Sequence, residues 1–420
     1  MRALHIVIVR VVLVAFGFGC SGGTRVPAPA LAHVRPGIEV LLSDSAHLIA
    51  GKRLGLLTNH TGVDREGRRD VDLLLRASGA RLLILYSPEH GFAGAEDRPG
   101  LPDGRDSVTG LPIYSLYGGS RTNARASLDS IDVLLVDLQD IGARYYTYIA
   151  TATQVMRDAA RAGKRVIVLD RPDPIGGRDV QGNVRARASD PDSILVGFLP
   201  IAMRHGMTLG ELARMANDVL ALRADLVIVP ASGWKRDLFY DQTSLPWVKP
   251  SPNMPDLESA THYPGLCLFE GTNLSVGRGT PMAFQVVGAP WLNPALVIDR
   301  LAPALAGVEV VPTVFTPAAP TDGKYAGVEL TGLRFKVRDR ARYDPTKLAV
   351  ALLVAIRSTH PGQLQFRRET FDRLAAGPEL RVGVEAGKSA TEIWAPWDSS
   401  LVRFRATRER YLVGQYHISP

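Results

Sequence analysis

Cysteine is almost absent from this 420-residue chain, which contains only Cys20 and Cys267. Two thiols cannot form the disulfide framework that holds small secreted domains together. The apolar fraction of 46% is instead ample for a large core, and the length suggests two or three domains. Cys267 lies within an apolar run, which predicts a buried and unreactive thiol.

Several motifs that would define common functions are also absent. No G-x-G-x-x-G follows the first predicted strand, and the Gly-Lys-Ser at 387–389 lacks the first glycine of a phosphate loop because position 382 is Val. Nucleotide and dinucleotide binding are therefore disfavoured. The chain has no H-E-x-x-H and no paired C-x-x-C, so we expect no dedicated zinc site and no other metal. Without G-x-S-x-G, an α/β-hydrolase is also disfavoured.

The positive charges are scattered rather than clustered. The formal net charge is +7, and aromatic residues make up 7% of the chain without alternating with the basic ones. This pattern argues against nucleic-acid binding. It leaves only a mild preference for an anionic polymer or a membrane surface.

The N-terminus has the pattern of an export signal. Arg2 and Arg10 flank a basic start, and the apolar run at 11–19 is too short to span a bilayer. We predict a signal peptide at 1–20, with Gly19-Cys20 resembling a bacterial lipoprotein cleavage site. Ordinary signal cleavage is the alternative. Residues 21–36 contain three prolines and are predicted to be a tether, so the protein is expected to be exported, periplasmic or membrane-anchored through Cys20.

Strand and helix patterns alternate over the first half of the chain. Apolar runs predict strands at 53–58, 81–87, 132–138, 165–169 and 225–229, with amphipathic helices at 69–78, 147–162 and 207–222 between them. This order predicts an α/β fold with a doubly wound parallel sheet. Residues 233–264 are interpreted as an ordered loop. We expect a first domain over 37–260 and a second, smaller α+β domain over 261–420.

The strand at 81–87 ends in a conspicuous group of residues. Pro88 stops the strand, and Glu89, His90 and Gly91 follow it. Ligands bind at the carboxyl edge of open α/β sheets. A carboxyl group at the mouth of an apolar strand loses solvation and so retains its proton, which makes Glu89 the candidate general acid. His90 is grouped with it as a catalytic candidate, and a solvated loop acid is the alternative interpretation of Glu89.

Polar residues end three further predicted strands. Right-handed crossovers place all these strand ends on one edge, so together they predict a cleft lined by convergent polar groups. The residues concerned are Asn59 and His60, Asp137 and Asp140, and Asp170 and Arg171.

Two loops supply the remaining candidates. Arg144 could bind a carboxylate through two hydrogen bonds, and Tyr145 and Tyr146 could stack on a sugar. Alternatively, Asp140 only supports the turn and one tyrosine belongs to the core. The polar loop at 269–280 supplies Glu270, Asn273 and Arg278 as the opposite wall, or is only a cluster of turns.

With these residues assembled, the chain resembles the NamZ-type exo-β-N-acetylmuramidases. The resemblance runs from about residue 38 to residue 412. It rests on the strings TNHTG (58–62), SPEHGF (87–92), DLQDIGARYYTY (137–148), DRP (170–172), PSPNMP (250–255) and EGTNLS (270–275). Residues 279–284 depart from the family pattern.

The resemblance implies a Rossmann-like first domain, a smaller second domain and a cleft between them. It implies release of N-acetylmuramic acid from the non-reducing end of peptidoglycan fragments, in wall turnover or recycling, with Glu89 as the catalytic acid and no metal or organic cofactor. The family partner is thus a peptidoglycan-derived glycan. Rival interpretations are a non-catalytic lipoprotein that binds wall fragments and an exo-glycosidase for another sugar.

Two roles stay open at this level. The group that assists at the anomeric carbon is Asp137, Asp140, Glu270 or the 2-acetamido oxygen of the substrate. The arginine expected for the lactyl carboxylate of muramic acid is Arg144 or Arg278.

Overall fold

The computed structural model describes residues 31–96, 100–117, 121–301 and 306–417. These residues belong to one compact unit that begins at Leu31. The predicted signal peptide and Cys20 lie outside the described residues, as does most of the predicted tether. The tether prediction is too long, because Val34 is fully buried and the Ala32 N–H donates to the Gln242 carbonyl at 2.8 Å. Apolar packing thus fixes residues 31–36 to the body of the protein.

A seven-stranded sheet forms the centre of the N-terminal part. Its order is β3-β4-β2-β1-β5-β6-β9, and all neighbours are parallel except β3 and β4. Two smaller sheets have the orders β7-β8 and β10-β12-β11 and are antiparallel. In the described residues the strands are β1 Arg53–Thr58, β2 Arg81–Ser87, β3 Gly104–Arg105, β4 Pro112–Ser115, β5 Val133–Asp137, β6 Arg165–Leu169, β7 Gln181–Val184, β8 Ala202–Arg204, β9 Leu226–Val229, β10 Val286–Ala289, β11 Val308–Phe315 and β12 Leu330–Val337.

Helices cover the sheets. Those in the described residues are α1 Gly37–Ser43, α2 Asp70–Arg76, α3 Thr122–Ser127, α4 Tyr148–Arg161, α5 Leu209–Val219, α6 Leu257–Leu266, α7 Pro294–Leu301, α8 Pro345–Thr359, α9 Arg368–Ala375, α10 Glu379–Glu385, α11 Ala390–Trp394 and α12 Trp397–Arg408. Short 3₁₀ turns lie at Ala46–Leu48, Leu128–Ser130, Tyr240–Gln242 and Cys267–Gly271. No helix in these described ranges is long and apolar enough to cross a membrane.

The central strands are buried on both faces because helices pack on each side. In β5, Leu134 and Val136 join the core that contains α4 and α5, whereas Val133 and Leu135 join the core beneath α1 and α2. A strand covered on both faces needs a continuous apolar run, which is the pattern of its sequence. The predicted Rossmann-like, doubly wound parallel sheet is confirmed, with β3 as an antiparallel strand at one edge.

The C-terminal part combines the three-stranded sheet with helices α7 to α12, which confirms the smaller α+β unit. The prediction missed one helix between the two units. Residues 233–264 were interpreted as a loop, but they contain most of α6, whose N-cap Asp256 accepts the Ser259 N–H at 2.8 Å. Pro264 and Gly265 lie inside this helix and obscured its pattern.

The register of the sheet places several strand ends side by side. Thr58 at the end of β1 pairs with Asp137 at the end of β5, and Ser87 at the end of β2 pairs with Ser115. Loops that leave these strands therefore start from one edge of the sheet. This edge faces residues of the C-terminal part across a cavity.

Candidate active site

A cavity of about 630 Å³, including its mouth, opens at the carboxyl edge of the sheet. Both halves of the chain line it. The N-terminal half contributes Glu89, His90, Tyr145, Tyr146, Thr147 and Val196, and the remaining lining residues are Ser251, Asn253, Met254, Tyr263, Cys267, Glu270, Arg278, Phe284 and Leu374. Six of the residues predicted from the sequence are thus brought together: Glu89, His90, Tyr145, Tyr146, Glu270 and Arg278.

A tight turn after β2 presents Glu89 to the cavity. His90 has φ 69° and Gly91 has φ 74°, so two successive residues are left-handed. The His90 ring is held by its Nδ1, which lies 2.7 Å from the Glu96 carbonyl oxygen. A left-handed non-glycine residue is costly unless its surroundings hold it in place, and such residues cluster at functional sites.

Glu89 contacts Thr147, the residue that immediately precedes α4. The Thr147 hydroxyl donates to Glu89 Oε2, and Thr147 makes no capping bond to the helix backbone. Among the described residues, Glu89 Oε1 has no hydrogen-bond partner. One oxygen is therefore fixed and the other is available to a ligand.

Tyr146 places an unsatisfied hydroxyl at the same cavity. Its phenol oxygen is buried and has no hydrogen-bond partner within the described part of the chain. Burial raises the pKa of the Tyr146 phenol well above its ordinary value, so the group stays protonated. A buried donor without a partner is costly, and a ligand in the cavity would satisfy it. Tyr145, in contrast, donates its hydroxyl to the Pro264 carbonyl at 3.1 Å and offers only its ring.

The opposite wall carries a carboxylate and an arginine in contact. Arg278 Nε lies 2.5 Å from Glu270 Oε1, and its Nη1 donates to the Thr321 hydroxyl at 3.1 Å. The Cys267 thiol lies 3.5 Å from Glu270 Oε2. Burial raises the pKa of this thiol, which therefore stays protonated, and its predicted burial is confirmed. Glu270 is thus fixed from both oxygens.

Asp137 and Arg171 do not reach the cavity. Arg171 binds both oxygens of Asp137, one of them at 3.0 Å from Nη2, and donates to the Val63 carbonyl at 2.8 Å. Asp70 lies 3.7 Å from the same guanidinium. All three side chains are buried and form an ion cluster inside the sheet edge, which corrects the assignment of Asp137 and Arg171 to the site. Burial, followed by the Asp137 charge, raises the pKa of Asp70 well above its ordinary value.

Asp140 and Arg144 also lie behind the cavity wall. Asp140 accepts the Gly142 N–H at 2.8 Å, as expected for the turn-supporting alternative. Arg144 donates to the Asn183 carbonyl at 2.8 Å and to the Leu374 carbonyl at 2.9 Å. The Arg144 guanidinium was expected to bind a substrate carboxylate, but its N–H groups donate to backbone carbonyls. The arginine therefore supports the wall residue Leu374.

Asn59, His60 and Asn273 were predicted to bind substrate, but each contacts protein groups. Asn59 donates to the Tyr148 hydroxyl at 2.8 Å, and His60 Nε2 lies 2.5 Å from the Lys249 carbonyl oxygen. Asn273 bridges to the backbone of the segment before α9, donating to the Gln363 carbonyl at 2.9 Å. Asp170 likewise accepts hydrogen bonds from Thr208 and Tyr416 in the interior. These residues organise the loops around the site.

Sequence reasoning missed several residues that line the cavity, among them Thr147, Ser251, Asn253, Tyr263 and Phe284. Thr147 had a usable signal, because it is the first residue of the predicted helix at 147–162, which starts near a strand end. Ser251 and Asn253 lie in the string PSPNMP, which was noticed without a role. Across the described ranges, no group of three or more His, Cys, Asp or Glu side chains could hold a metal ion.

Comparison with known proteins agrees with this architecture. Two solved DUF1343 family proteins from Bacteroides fragilis NCTC 9343 superimpose with TM-scores of 0.82 and 0.71. They are 33% and 31% identical to this chain, of which 91% and 92% is covered, and they are covered over 99% and 100% of their own length.

A relative from Bacillus subtilis (strain 168), the peptidoglycan beta-N-acetylmuramidase NamZ, is 37% identical over 384 residues. The match covers 90% of this chain and 91% of the relative. Residues 54–258 match the model of the N-terminal unit of the exo-beta-N-acetylmuramidase NamZ, and residues 261–413 match the model of its C-terminal unit. The chain therefore belongs to the NamZ exo-β-N-acetylmuramidase family.

Proposed function

We propose that this protein is an exo-acting glycoside hydrolase that releases N-acetylmuramic acid from the non-reducing end of peptidoglycan fragments. The observation that carries the proposal is one cavity with Glu89 on one wall and the Glu270–Arg278 pair on the other. Glycoside cleavage needs a proton donor for the leaving oxygen and a second group at the anomeric carbon. The similarity to the peptidoglycan beta-N-acetylmuramidase of Bacillus subtilis supports the same substrate class.

Glu89 is the proposed general acid. Thr147 fixes Oε2, so the proton on Oε1 is directed to the cavity and passes to the glycosidic oxygen as the bond from that oxygen to the anomeric carbon breaks. The leaving sugar departs as an alcohol, and the muramyl ring develops positive charge that a nearby carboxylate stabilises. Water then adds to the anomeric carbon and loses a proton, which completes the hydrolysis.

Glu270 is the proposed second group. Of the three carboxylates considered from the sequence, it alone among the described residues lines the cavity, since Asp137 and Asp140 are buried behind the wall. Its Oε1 is in contact with the Arg278 guanidinium. The Tyr146 phenol can donate to the 2-acetamido group and orient it at the anomeric carbon.

One experiment separates this function from its rivals. The purified protein is offered para-nitrophenyl β-N-acetylmuramide and, in parallel, the corresponding N-acetylglucosaminide. Release of nitrophenol from the muramide alone supports the proposal, whereas equal release from both would indicate a different exo-glycosidase. Release from neither, together with tight binding of wall fragments, would indicate a binding protein.

Arg278 is the proposed ligand for the lactyl carboxylate of muramic acid, because Arg144 is committed to backbone carbonyls. We expect Arg278→Gln to lower the ratio of kcat/KM for the muramide over the glucosaminide at least about tenfold, as for a lost charge-assisted hydrogen bond. The ratio is the informative measurement, since any disturbance of Glu270 affects both substrates. Arg338→Gln, which removes an exposed arginine, is the control, and an unchanged ratio in Arg278→Gln would reject the role.

Thr147→Val should lower kcat about five- to tenfold. The substitution removes the hydroxyl that fixes Glu89 but keeps the shape of the side chain, and a hydrogen bond of this kind is worth about 1 to 1.5 kcal/mol. Steady-state kinetics on the muramide measure the effect. Thr153→Val in the same helix is the matched control, because the Thr153 hydroxyl only binds the Ile149 carbonyl at 2.7 Å. Equal rates for the two variants would contradict this positioning role.

The division into a first domain over 37–260 and a second over 261–420 is part of the proposal, as is export of the protein. The two family models meet between residues 258 and 261, which supports the boundary. A cell-wall substrate and the sequence of residues 1–20 support an exported, periplasmic protein anchored through a lipid on Cys20. Fractionation of cells into soluble and membrane fractions, with metabolic labelling by a fatty acid, tests the anchor.

A further inference from the structure

A buried lysine lies beneath the wall that carries Glu270. Lys324 is 5% exposed, and its Nζ donates to three backbone carbonyls, those of Phe269 at 3.1 Å, Glu270 at 3.2 Å and Leu274 at 2.9 Å. An ammonium group has three donors and no acceptor, so these three contacts use its full capacity. The mechanism proposed above makes no use of this group.

The three carbonyls belong to the segment that places Glu270 in the cavity. Carbonyl oxygens that converge on one point repel each other, and the positive charge between them removes that repulsion. Asp322, whose Oδ2 lies 3.7 Å from Nζ, supplies the nearest counter-charge. The ammonium thus occupies a small, oxygen-lined position of the kind that a monovalent cation would fill.

The loop that carries Lys324 contacts the second wall at two further points. The Thr321 hydroxyl accepts a hydrogen bond from Arg278, and the Tyr325 hydroxyl donates to the Asn273 carbonyl at 2.8 Å. Segment 321–325, hereafter the supporting loop, therefore holds the backbone and the Arg278 side chain of the second wall. Lys324 is its buried centre.

We propose that Lys324 is a positioning residue whose ammonium acts as an internal cation, fixing the backbone of residues 269–274 and through it the carboxylate of Glu270. The inference rests on the proposed function, in which Glu270 is the second group. It also predicts a property that packing alone would not give, namely that the site needs a hydrogen-bond donor at this one position.

The charge of Lys324 is sensitive to alkaline pH. Burial lowers the pKa of its amine to about 8, while Asp322 and Glu270 oppose this shift and Arg367 and Arg278 add to it. Below that pH the ammonium donates to all three carbonyls. At pH 7 the amine is therefore protonated and can act as the internal cation, and the tests below are made at that pH.

The first test compares Lys324→Met with Lys336→Met, a lysine on strand β12, which is outside the cavity. We expect Lys324→Met to lose at least about tenfold in kcat/KM at pH 7, because small displacements of a reacting group are costly. Lys336→Met should keep the wild-type rate, and an unchanged rate in Lys324→Met would overturn the proposal.

Chemical rescue tests the need for a donating cation. Lys324→Ala leaves space for the removed propyl amine, so added n-propylammonium should restore activity at least about fivefold, as a donor returns to the three carbonyls. Propyltrimethylammonium at the same ionic strength carries the charge but cannot donate, and it should not rescue. Equal rescue by both ions would show that only the positive charge matters, and it would reject the proposed hydrogen bonds of Lys324.

Hydrogen exchange tests the support by Lys324 without an activity assay. Amides within 269–275 should exchange faster in Lys324→Met than in Lys336→Met at the same pH. If the wild type fails to cleave the muramide, the proposed function fails while this measurement still tests the support by Lys324; unchanged exchange would reject that support on its own.

Discussion

The Glu89→Gln enzyme should release N-acetylmuramic acid from a muramyl glycan at least about a hundredfold more slowly than the wild type, with little change in KM. Glutamine keeps the size of the side chain and can still accept from the Thr147 hydroxyl, but it has no proton to give. General acid catalysis contributes about 10² to 10⁴ in rate, which sets the expected loss. Steady-state release of the sugar from a defined disaccharide measures it.

The choice of leaving group makes this test specific to proton donation. Para-nitrophenolate leaves readily without protonation, whereas a sugar alkoxide does not, so the loss on the nitrophenyl muramide should be smaller than on the disaccharide. Equal losses on both substrates would indicate that Glu89 acts on the muramyl ring instead. Glu329→Gln, which alters an exposed glutamate, is the control, and a near-normal rate for Glu89→Gln on the disaccharide would remove it from the acid role.

Strand ends were the part of the site that the sequence could reveal. The apolar run of β2 stops at a proline, and the residues after it must leave the sheet at the carboxyl edge, where Glu89 and His90 do line the cavity. The core strands could also be predicted, because burial on both faces requires continuous apolar runs such as that of β5. Local pattern therefore predicted the fold class and one wall.

Partners distant in sequence decided the rest, and no local pattern encodes them. Arg144 looked suited to a substrate carboxylate, but carbonyls 39 and 230 residues away occupy its guanidinium. Asp137 and Arg171 are both polar residues at strand ends, yet the parallel neighbours β5 and β6 bring them against each other. A charged side chain near a strand end therefore meets a ligand only when the fold places it on the cavity wall.

Lys324 is the opposite case, a buried charged residue whose sequence pattern suggests exposure. A lysine between glycine and tyrosine in a polar loop gives the pattern of a solvated side chain, and nothing in its neighbours indicates burial. Its environment is created by carbonyls from residues 269–274, about 50 positions earlier, which the fold turns toward one point. Functional support of this kind depends on backbone geometry rather than on residue type, so composition and spacing do not report it.

Each wall of the cavity carries a carboxyl group that neighbouring side chains hold in place. The Thr147 hydroxyl fixes Glu89, and Glu270 lies against Arg278 above the Lys324 ammonium. The two walls differ in what supports them. The first depends on the sheet edge, and the second depends on the buried charge of Lys324.

Arg171→Met should destabilise the protein by about 3–5 kcal/mol, the usual cost of breaking a buried ion pair. The arginine is the buried cation between Asp137 and Asp70, and its removal leaves two carboxyl groups in the interior without a counter-charge. Methionine preserves much of the volume, so a cavity contributes little. Urea unfolding followed by fluorescence measures the change, and Arg165→Met, which removes an exposed ion pair at the opposite end of β6, should cost far less.

The same variant separates a structural role from substrate binding. Because the Arg171 guanidinium lies in the interior and is absent from the cavity wall, kcat/KM per folded molecule should stay within about threefold of the wild type. Adding Asp137→Asn should recover part of the lost stability, since it removes one of the two stranded charges, and the double-mutant cycle would give a coupling of the two sites. A variant with normal stability and a strongly raised KM would restore Arg171 to the substrate-binding residues, and the sheet edge would then have to open to the substrate.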